Sequence, residues 1–378
     1  MSFKPVRVGI VGLGHNGLAH LREHVSSGMS EVVAVCDRNR DVLQKVSVEF
    51  GVRKLYSDDR FFDDPDIEAV SINTGDNDHK APFLKAVRAG KHVLVEKPLA
   101  NSEADVHEMV AAVEQADPKL KIQVGYILRF NPVFAEIHRL AAEGALGNIY
   151  YLEGDYIHNL LSQAKQTDPV TGKNWYLDEE LPLVGGGSHP LDLLRWISGK
   201  DVTRVCGCAN HVAFPEMKND DCQVCLFQFE DGTIAKVAAL YGPRCTMLPF
   251  YNLRVYGTAG TVERDTIALS SSPEDHHPPF QSVGVDRVKG HPYLPEIQDW
   301  LTAIREDRPP RCPLHDGANS TLATLAAVRA IRDRTEVAVP VFRARRFGVA
   351  ADSARFGLAA VRSAEDADDV ERHAGQFQ

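Results

Sequence analysis

The chain predicts an N-terminal doubly wound α/β domain followed by a C-terminal α+β domain built on a large, mainly antiparallel open sheet. Three observations predict it. Short apolar runs alternate with amphipathic helical stretches through the first third of the chain, the pattern of buried parallel strands with crossover helices. A glycine-rich turn follows the first of those runs. Beyond residue 125 the alternation stops, strands group together and helices separate from them, as in α+β domains. The expected divisions are residues 1–125, residues 126–343 and a C-terminal tail, 344–378.

In chain order, the first strand is Val6-Arg7-Val8-Gly9-Ile10-Val11, and a helix runs from there to about Ser27. A strand over 32–36 ends at Asp37, and a helix follows over 39–50. Further strands are expected at 69–72, 92–95 and 122–124, with helices at 80–89, closed by Gly90, and 102–115 between them. The second domain opens with a helix over 132–143 and continues with strands at 149–156, 222–229, 233–240 and 252–256. Asp231-Gly232 is the turn of a hairpin. Helices are expected at 190–197, 295–305 and 318–331. Two long irregular stretches, 160–184 and 270–293, are expected from their length to be functional or mobile loops. The tail turns basic (Arg343, Arg345, Arg346) and then acidic (Glu365, Asp366, Asp368, Asp369), the pattern of an appended docking arm.

Of the 378 residues, 44% are apolar and 25% charged, and the net charge is −10. That balance argues against nucleic acid as a partner, since such binders concentrate Lys and Arg, and against an anionic membrane surface. No apolar run approaches the roughly 20 residues that span a bilayer. The N-terminus lacks the apolar core of a secretory signal, so a cytoplasmic protein is expected. Seven cysteines are too few and too scattered for a disulfide framework. Cys206-x-Cys208 and Cys222-x-x-Cys225 have the look of a thiolate site, but a strand puts Cys222 and Cys225 on opposite faces. No metal is expected.

Gly12-Leu13-Gly14-His15-Asn16-Gly17 matches G-x-G-x-x-G in its confirming context, after a buried strand and at the opening of a helix. The glycines permit a tight turn and let backbone N–H groups reach a pyrophosphate. Asp37, closing the second strand, can accept hydrogen bonds from the adenosine ribose hydroxyls and repels a 2′-phosphate, which favours NAD. Arg38 beside it leaves NADP open. Asp37 is also placed to start the next helix.

Gly90-Lys91-His92-Val93-Leu94-Val95-Glu96-Lys97-Pro98 delivers a lysine at the carboxyl edge of the sheet, where ligands of this fold bind. With this segment the chain resembles the glucose–fructose oxidoreductase / inositol dehydrogenase / MocA (Gfo/Idh/MocA) family. The resemblance extends from about residue 5 to 343 through Asn73-Thr74, His79, Gly125-Tyr126-Ile127-Leu128-Arg129-Phe130-Asn131-Pro132, Gly185-Gly186-Gly187-Ser188-His189-Pro190-Leu191-Asp192 and Tyr256-Gly257-Thr258-Ala259-Gly260. It implies a Rossmann domain with Asn73, Thr74, His79, Glu96 and Lys97 on the cofactor, and Lys97 on both cofactor and substrate. It also implies a cis peptide before Pro98 and a proton-transfer role for His189. Tyr126, Arg129, Asn131, Asp192 and Trp175 are the implied substrate contacts, the substrate being a sugar or cyclitol.

Physical readings stand beside these. Lys97 can polarise an alcohol oxygen, or simply pair with Glu96 at the surface. His189 can move a proton, or serve as the N-cap of a helix whose third position is Asp192. Tyr126, Arg129 and Asn131 equally suit a hydrogen-bond network at the domain junction. The chain departs from the family at Gly185, where many members carry an aspartate four positions before the histidine, and Asp192 is then the expected partner of that imidazole. Three activities remain: oxidation of a ring hydroxyl with NAD(H), NAD-dependent glycoside cleavage through transient ring oxidation, and non-catalytic dinucleotide sensing. A homodimer or homotetramer is expected from the broad open sheet.

Overall fold

The computed structural model describes residues 4–343 apart from 166, 168–171, 173, 245–250, 273 and 287–289; the tail beyond 343 lies outside them. The described residues belong to one compact unit. It opens with β1 (Val6–Val11), α1 (His15–Ser26), β2 (Ser30–Cys36), α2 (Arg40–Phe50), β3 (Lys54–Tyr56), β4 (Ala69–Ile72), α3 (Lys80–Arg88), β5 (His92–Glu96), α4 (Glu103–Glu114) and β6 (Ile122–Gly125). These strands make a parallel six-stranded sheet in the order β3-β2-β1-β4-β5-β6. The order reverses between β1 and β4, so a crevice opens where the carboxyl ends of β1, β4 and β5 meet.

Local chemistry sets these helix limits. Asn39 caps α2 by accepting from the Asp41 and Val42 N–H groups, and Gly51 ends it in the left-handed conformation. Ser102 caps α4 through the Asp105 N–H, with Glu103 and Asp105 in the first turn to favour the helix dipole.

The second half contains α5 (Pro132–Ala142), β7 (Ile149–Ile157), α6 (Trp175–Asp178), α7 (Pro182–Gly185), α8 (Ser188–Ser198), β8 (Val202–Asn210), β9 (Cys222–Phe229), β10 (Ile234–Leu240), β11 (Tyr251–Gly257), β12 (Gly260–Glu263), β13 (Thr266–Leu269), β14 (Gln281–Ser282), α9 (Tyr293–Glu306), α10 (Leu314–Asp333) and β15 (Val337–Ala338). Its sheet runs β14-β13-β12-β11-β7-β10-β9-β8-β15, with β7 and β10 parallel and the other pairs antiparallel. The Asp231-Gly232 hairpin forms as expected between β9 and β10, with Gly232 at φ +89°.

Three apolar clusters hold these layers. Val8, Ile10, Leu21, Leu43, Ile297, Trp300 and Leu301 join one face of the first sheet to α1, α2 and α9. Phe83, Val95, Met109, Leu314 and Leu322 join the other face to α3, α4 and α10. Val133, Ile137, Leu191, Leu194, Phe227, Val237, Val255 and Ala326 close the second sheet under α5, α8 and α10. The late helices α9 and α10 thus return to cover the first sheet, and α10 is shared by both sheets.

Several limits differ from expectation. α10 begins at Leu314 rather than at residue 318, because Gly317 is inside the helix. A Cβ there would stand 2.5 Å from the Val124 side chain, so glycine lets α10 lie against β6. Strand β8 carries Gly207 for the same reason, opposite the Cys225 thiol. Cys225 is buried while Cys206 and Cys208 are exposed, so the two cysteine pairs do not converge. Helix α8 starts at Ser188 with Gly187 at its N-cap and no side-chain capping bond. His189 is therefore not the cap.

Candidate active site

The glycine turn behaves as three different devices. Gly12 sits at φ +81°, and a Cβ there would meet the Asn73 carbonyl at 2.7 Å. Gly17 lies so close to the Gly12 carbonyl that a side chain would stand 1.9 Å from it. Gly14, by contrast, faces open space, and α1 has no side-chain cap. An uncapped helix N-terminus behind an open glycine is a cradle for an anion. His15 and Asn16 are exposed there, Asn16 accepting from the Tyr293 hydroxyl at 3.3 Å. The Leu13 side chain is buried in the core beneath.

Asp37 closes β2 and accepts from the Leu13 N–H and the Asn39 N–H, both at 2.7 Å. Its carboxylate thus ties the glycine turn to the start of α2; Arg38 is exposed alongside. Asn73 donates to Ser71 at 3.0 Å, and its Oδ1 is buried without a partner. His79 bridges the Pro98 carbonyl (2.7 Å) and the Thr74 carbonyl (3.1 Å), and the Thr74 hydroxyl donates to the Asp78 carbonyl. Both residues brace the loops of the crevice. The open cradle, the orphaned Asn73 Oδ1 and the Asp37 carboxylate fit a dinucleotide.

Glu96 is buried at the end of β5. It meets His20 Nε2 at 3.0 Å and accepts from the Lys97 N–H at 3.2 Å. Burial works against its charge, but the His20 contact and the charges of Lys97 and His79 leave it below the usual carboxylate range. The Lys97–Pro98 peptide is cis. The Lys97 ammonium turns away from Glu96 and donates to the Gly185 carbonyl, across the crevice, at 3.1 Å. The surface ion pair with Glu96 is therefore not formed.

His189, in the first turn of α8, lies within reach of the Lys97 charge. Burial, Lys97 and His291 together hold it well below its ordinary value, so the ring is neutral at physiological pH. Its Nδ1 is buried with no partner. Tyr251 meets the ring edge-on at 5.7 Å, Tyr156 lies parallel at 6.4 Å, and Tyr241 packs on Tyr156 at 5.8 Å. The Tyr156 hydroxyl and His158 Nδ1 are 2.9 Å apart. These aromatic and polar groups make a wall suited to a ring whose C–H faces are apolar and whose hydroxyls are not.

The expected substrate group fares differently. Arg129 is fully buried and grips Asp192 at 2.7 and 2.6 Å, while Asp316 takes its remaining nitrogen. Ser320 also donates to Asp192, at 2.6 Å. Asp192 is thus the partner of Arg129 and not of His189. Tyr126 is buried against Thr321 (3.1 Å), and Asn131 caps α5 through the Val133 N–H. All four sit in the junction between the sheets, where Arg129 and Asp192 spend their polar atoms on one another, Asp316 and Ser320. Trp175 is half-buried at the start of α6, edge-on to Tyr176 at 5.0 Å.

Other groups in this region escaped the sequence reading. His20, on the buried face of α1, links Glu96 to Ser71. Asp76, Glu180, Tyr156, Tyr241, Tyr251 and His291 surround Lys97 and His189. Glu180 and His291 lie in or beside the two long stretches already marked by their length, the only signal pointing to them.

Residues 6–126 match the oxidoreductase family with an NAD-binding Rossmann fold, and residues 134–263 match the GFO/IDH/MocA C-terminal domain. The myo-inositol 2-dehydrogenase of Thermotoga maritima is 24% identical over 88% of this chain and 98% of its own length. The scyllo-inositol 2-dehydrogenase (NAD(+)) of Bacillus subtilis is 26% identical over 90% of this chain and 98% of its own. The crystal structure of scyllo-inositol dehydrogenase from Lactobacillus casei with NAD(H) and scyllo-inositol superposes with a TM-score of 0.74. It covers 89% of this chain and 99% of that one at 22% identity.

Proposed function

This chain belongs to the Gfo/Idh/MocA oxidoreductase family, and from that premise we propose that it interconverts a ring hydroxyl and a ring ketone on a cyclitol or sugar, using NAD. The observation that carries this reading is the convergence of Lys97, from the first sheet, and His189, from α8, beside the dinucleotide cradle. The inositol dehydrogenases named above support the substrate class.

Bound NAD supplies the hydride acceptor. Gly12, Gly14, Gly17 and the start of α1 hold the pyrophosphate, Asp37 the adenosine ribose, and Asn73 Oδ1 a further polar atom of the cofactor. Lys97 places its ammonium on the reacting oxygen and stabilises the charge that grows there. His189, neutral and with an unpartnered nitrogen, accepts the substrate hydroxyl proton as the ring ketone forms. Tyr156, Tyr251 and Trp175 exclude water and stack on the ring. Arg129, Asp192, Tyr126 and Asn131 hold the junction that keeps Lys97 and His189 in register.

We further place the protein in the cytoplasm as a homodimer or homotetramer. Val224, Leu226 and Ile234 stand exposed on one open face of the second sheet, an apolar patch suited to a second copy. No helix among the described residues is long and apolar enough to cross a membrane.

The test is a panel of cyclitols and sugars with NAD⁺, read at the NADH absorbance, alongside Lys97→Ala. Steady NADH production by the unmodified enzyme, lowered about 10²–10⁴-fold in the variant with NADH binding retained, is the expected result. Cleavage of glycosides without NADH accumulation would replace this reading with transient ring oxidation. Cofactor binding with no turnover of any compound would make the protein a sensor.

A further inference from the structure

Glu180 is a buried acid to which the mechanism above gives no task. It lies between α6 and α7 and is only 3% exposed. Its Oε1 accepts from the Tyr241 hydroxyl, while Oε2 is buried with no partner. Its backbone is pinned on both sides, the N–H to the Trp175 carbonyl and the carbonyl to Asn219. Such a carboxyl group costs stability, which calls for a use in the site.

Gly185 gives the carboxyl group its place. A Cβ built on Gly185 would stand 2.1 Å from Glu180 Oε1 and 2.6 Å from Oε2, so the Glu180 carboxyl fills the space that a side chain at 185 would enter. The carbonyl of the same Gly185 accepts from Lys97 Nζ at 3.1 Å and from the Ser188 hydroxyl at 3.1 Å. Glu180 and Lys97 therefore converge on one residue, from opposite sides of the crevice, at the entry to the helix that carries His189.

We propose that Glu180 is a positioning residue of the active site, its carboxylate standing in for a side chain at position 185 and holding the Lys97 ammonium against the substrate oxygen. This rests on the dehydrogenase reading above. The titratable groups facing Glu180 are Asp76 from the β4–α3 loop, Lys97 after β5, Tyr176 on α6, Tyr156 on β7 and Tyr241 after β10. Burial and the Asp76 charge push the acid up to about 8, against the pull of Tyr241 and Lys97. Its folded value is raised above the ordinary 4.5. The fold thus loses stability as pH rises from there through about 8, while the carboxylate whose charge Lys97 feels forms over the last part of that range.

Glu180→Gln separates this role from a structural one. The variant is expected to melt higher than the unmodified protein at pH 9, yet to lose kcat about 10²-fold with KM little changed. It should also lose the pH–rate limb near 8. Gly185→Asp in a Glu180→Ala background returns a carboxylate to the same space and should recover a large part of the rate lost in Glu180→Ala alone. A second readout needs no substrate: labelling of Lys97 by an amine-selective reagent in the cofactor-free protein, followed by peptide mass spectrometry. With Glu180→Gln the onset of labelling should move to lower pH. An unmoved onset together with an unchanged pH–rate limb overturns the proposal, as does a double variant no faster than Glu180→Ala. A moved onset in a protein that oxidises no cyclitol or sugar supports the hold on Lys97 and overturns the dehydrogenase reading instead.

Discussion

His189 is where two physical accounts of one residue separate. As a helix cap it would accept from backbone N–H groups of α8, and its replacement would cost roughly 0.5–2 kcal/mol of stability with turnover intact. Gly187 occupies that position instead, and the imidazole is a neutral ring with a free nitrogen beside Lys97. His189→Ala is therefore expected to lower kcat about 10²–10⁴-fold while the midpoint of thermal unfolding moves little. Parallel measurement of turnover and melting decides it, and near-normal turnover would remove His189 from the mechanism. At this scale the legible residues were those whose chemistry is local to the chain. The glycine turn, Asp37 and the lysine at the end of β5 announce themselves by neighbours within a few positions. Glu180 and His291 do not, since each acquires its meaning only when an irregular stretch folds over the crevice.

Among the elements, the pairing of α1 with α9 carries an ionisable group that its sequence pattern does not explain. His24 is fully buried near Trp300, with ring centroids 6.1 Å apart, and its Nδ1 is 3.0 Å from the Ser30 hydroxyl. Burial, then the His20 charge, lowers it from 6.5 to about 3. Below pH 6.5 the unfolded chain therefore binds a proton that the folded protein refuses, so stability falls as pH drops from 6.5 toward 3. His24→Leu keeps the packing against Trp300 and removes the titration. Denaturant unfolding at pH 7 and pH 5 should show a smaller stability difference in the variant than in the unmodified protein; an equal difference would assign the acid sensitivity elsewhere. Most elements were legible because a buried parallel strand and an amphipathic helix each leave a period in the chain. Strand β8, interrupted by Gly207, was not, nor were the short strands β3, β12, β13, β14 and β15, which are set by the register of their neighbours. The start of α10 was hidden by Gly317, whose reason lies on β6.

For the whole molecule, the two sheets are joined by a buried charge cluster rather than by apolar contact alone. Arg129, just after the first domain, takes Asp192 from α8 and Asp316 from α10. Arg195 adds bonds to Asp316 and Ser320, so α8, α10 and the junction share one network. The sequence showed these residues as a family-like run at the domain boundary, and substrate binding and scaffold were both open to them. Burial favours scaffold for Arg129, whose three nitrogens are all engaged and which has no exposed surface to offer a ligand. The two uses predict opposite kinetics. Were Arg129 a substrate contact, Arg129→Met would raise KM and leave unfolding unchanged. As scaffold, its removal strands the fully buried Asp192 carboxylate and should cost about 3–5 kcal/mol, the range for breaking one partner of a buried pair. A second change isolates the pair. Asp192→Asn in the Arg129→Met background removes the stranded charge and should return part of that loss, whereas independent sites would simply add their costs. Urea unfolding of the four proteins, with NADH binding measured on each, gives the coupling directly. A coupling near zero would mean that the junction is held by its apolar clusters and that the buried charges contribute nothing to joining the sheets.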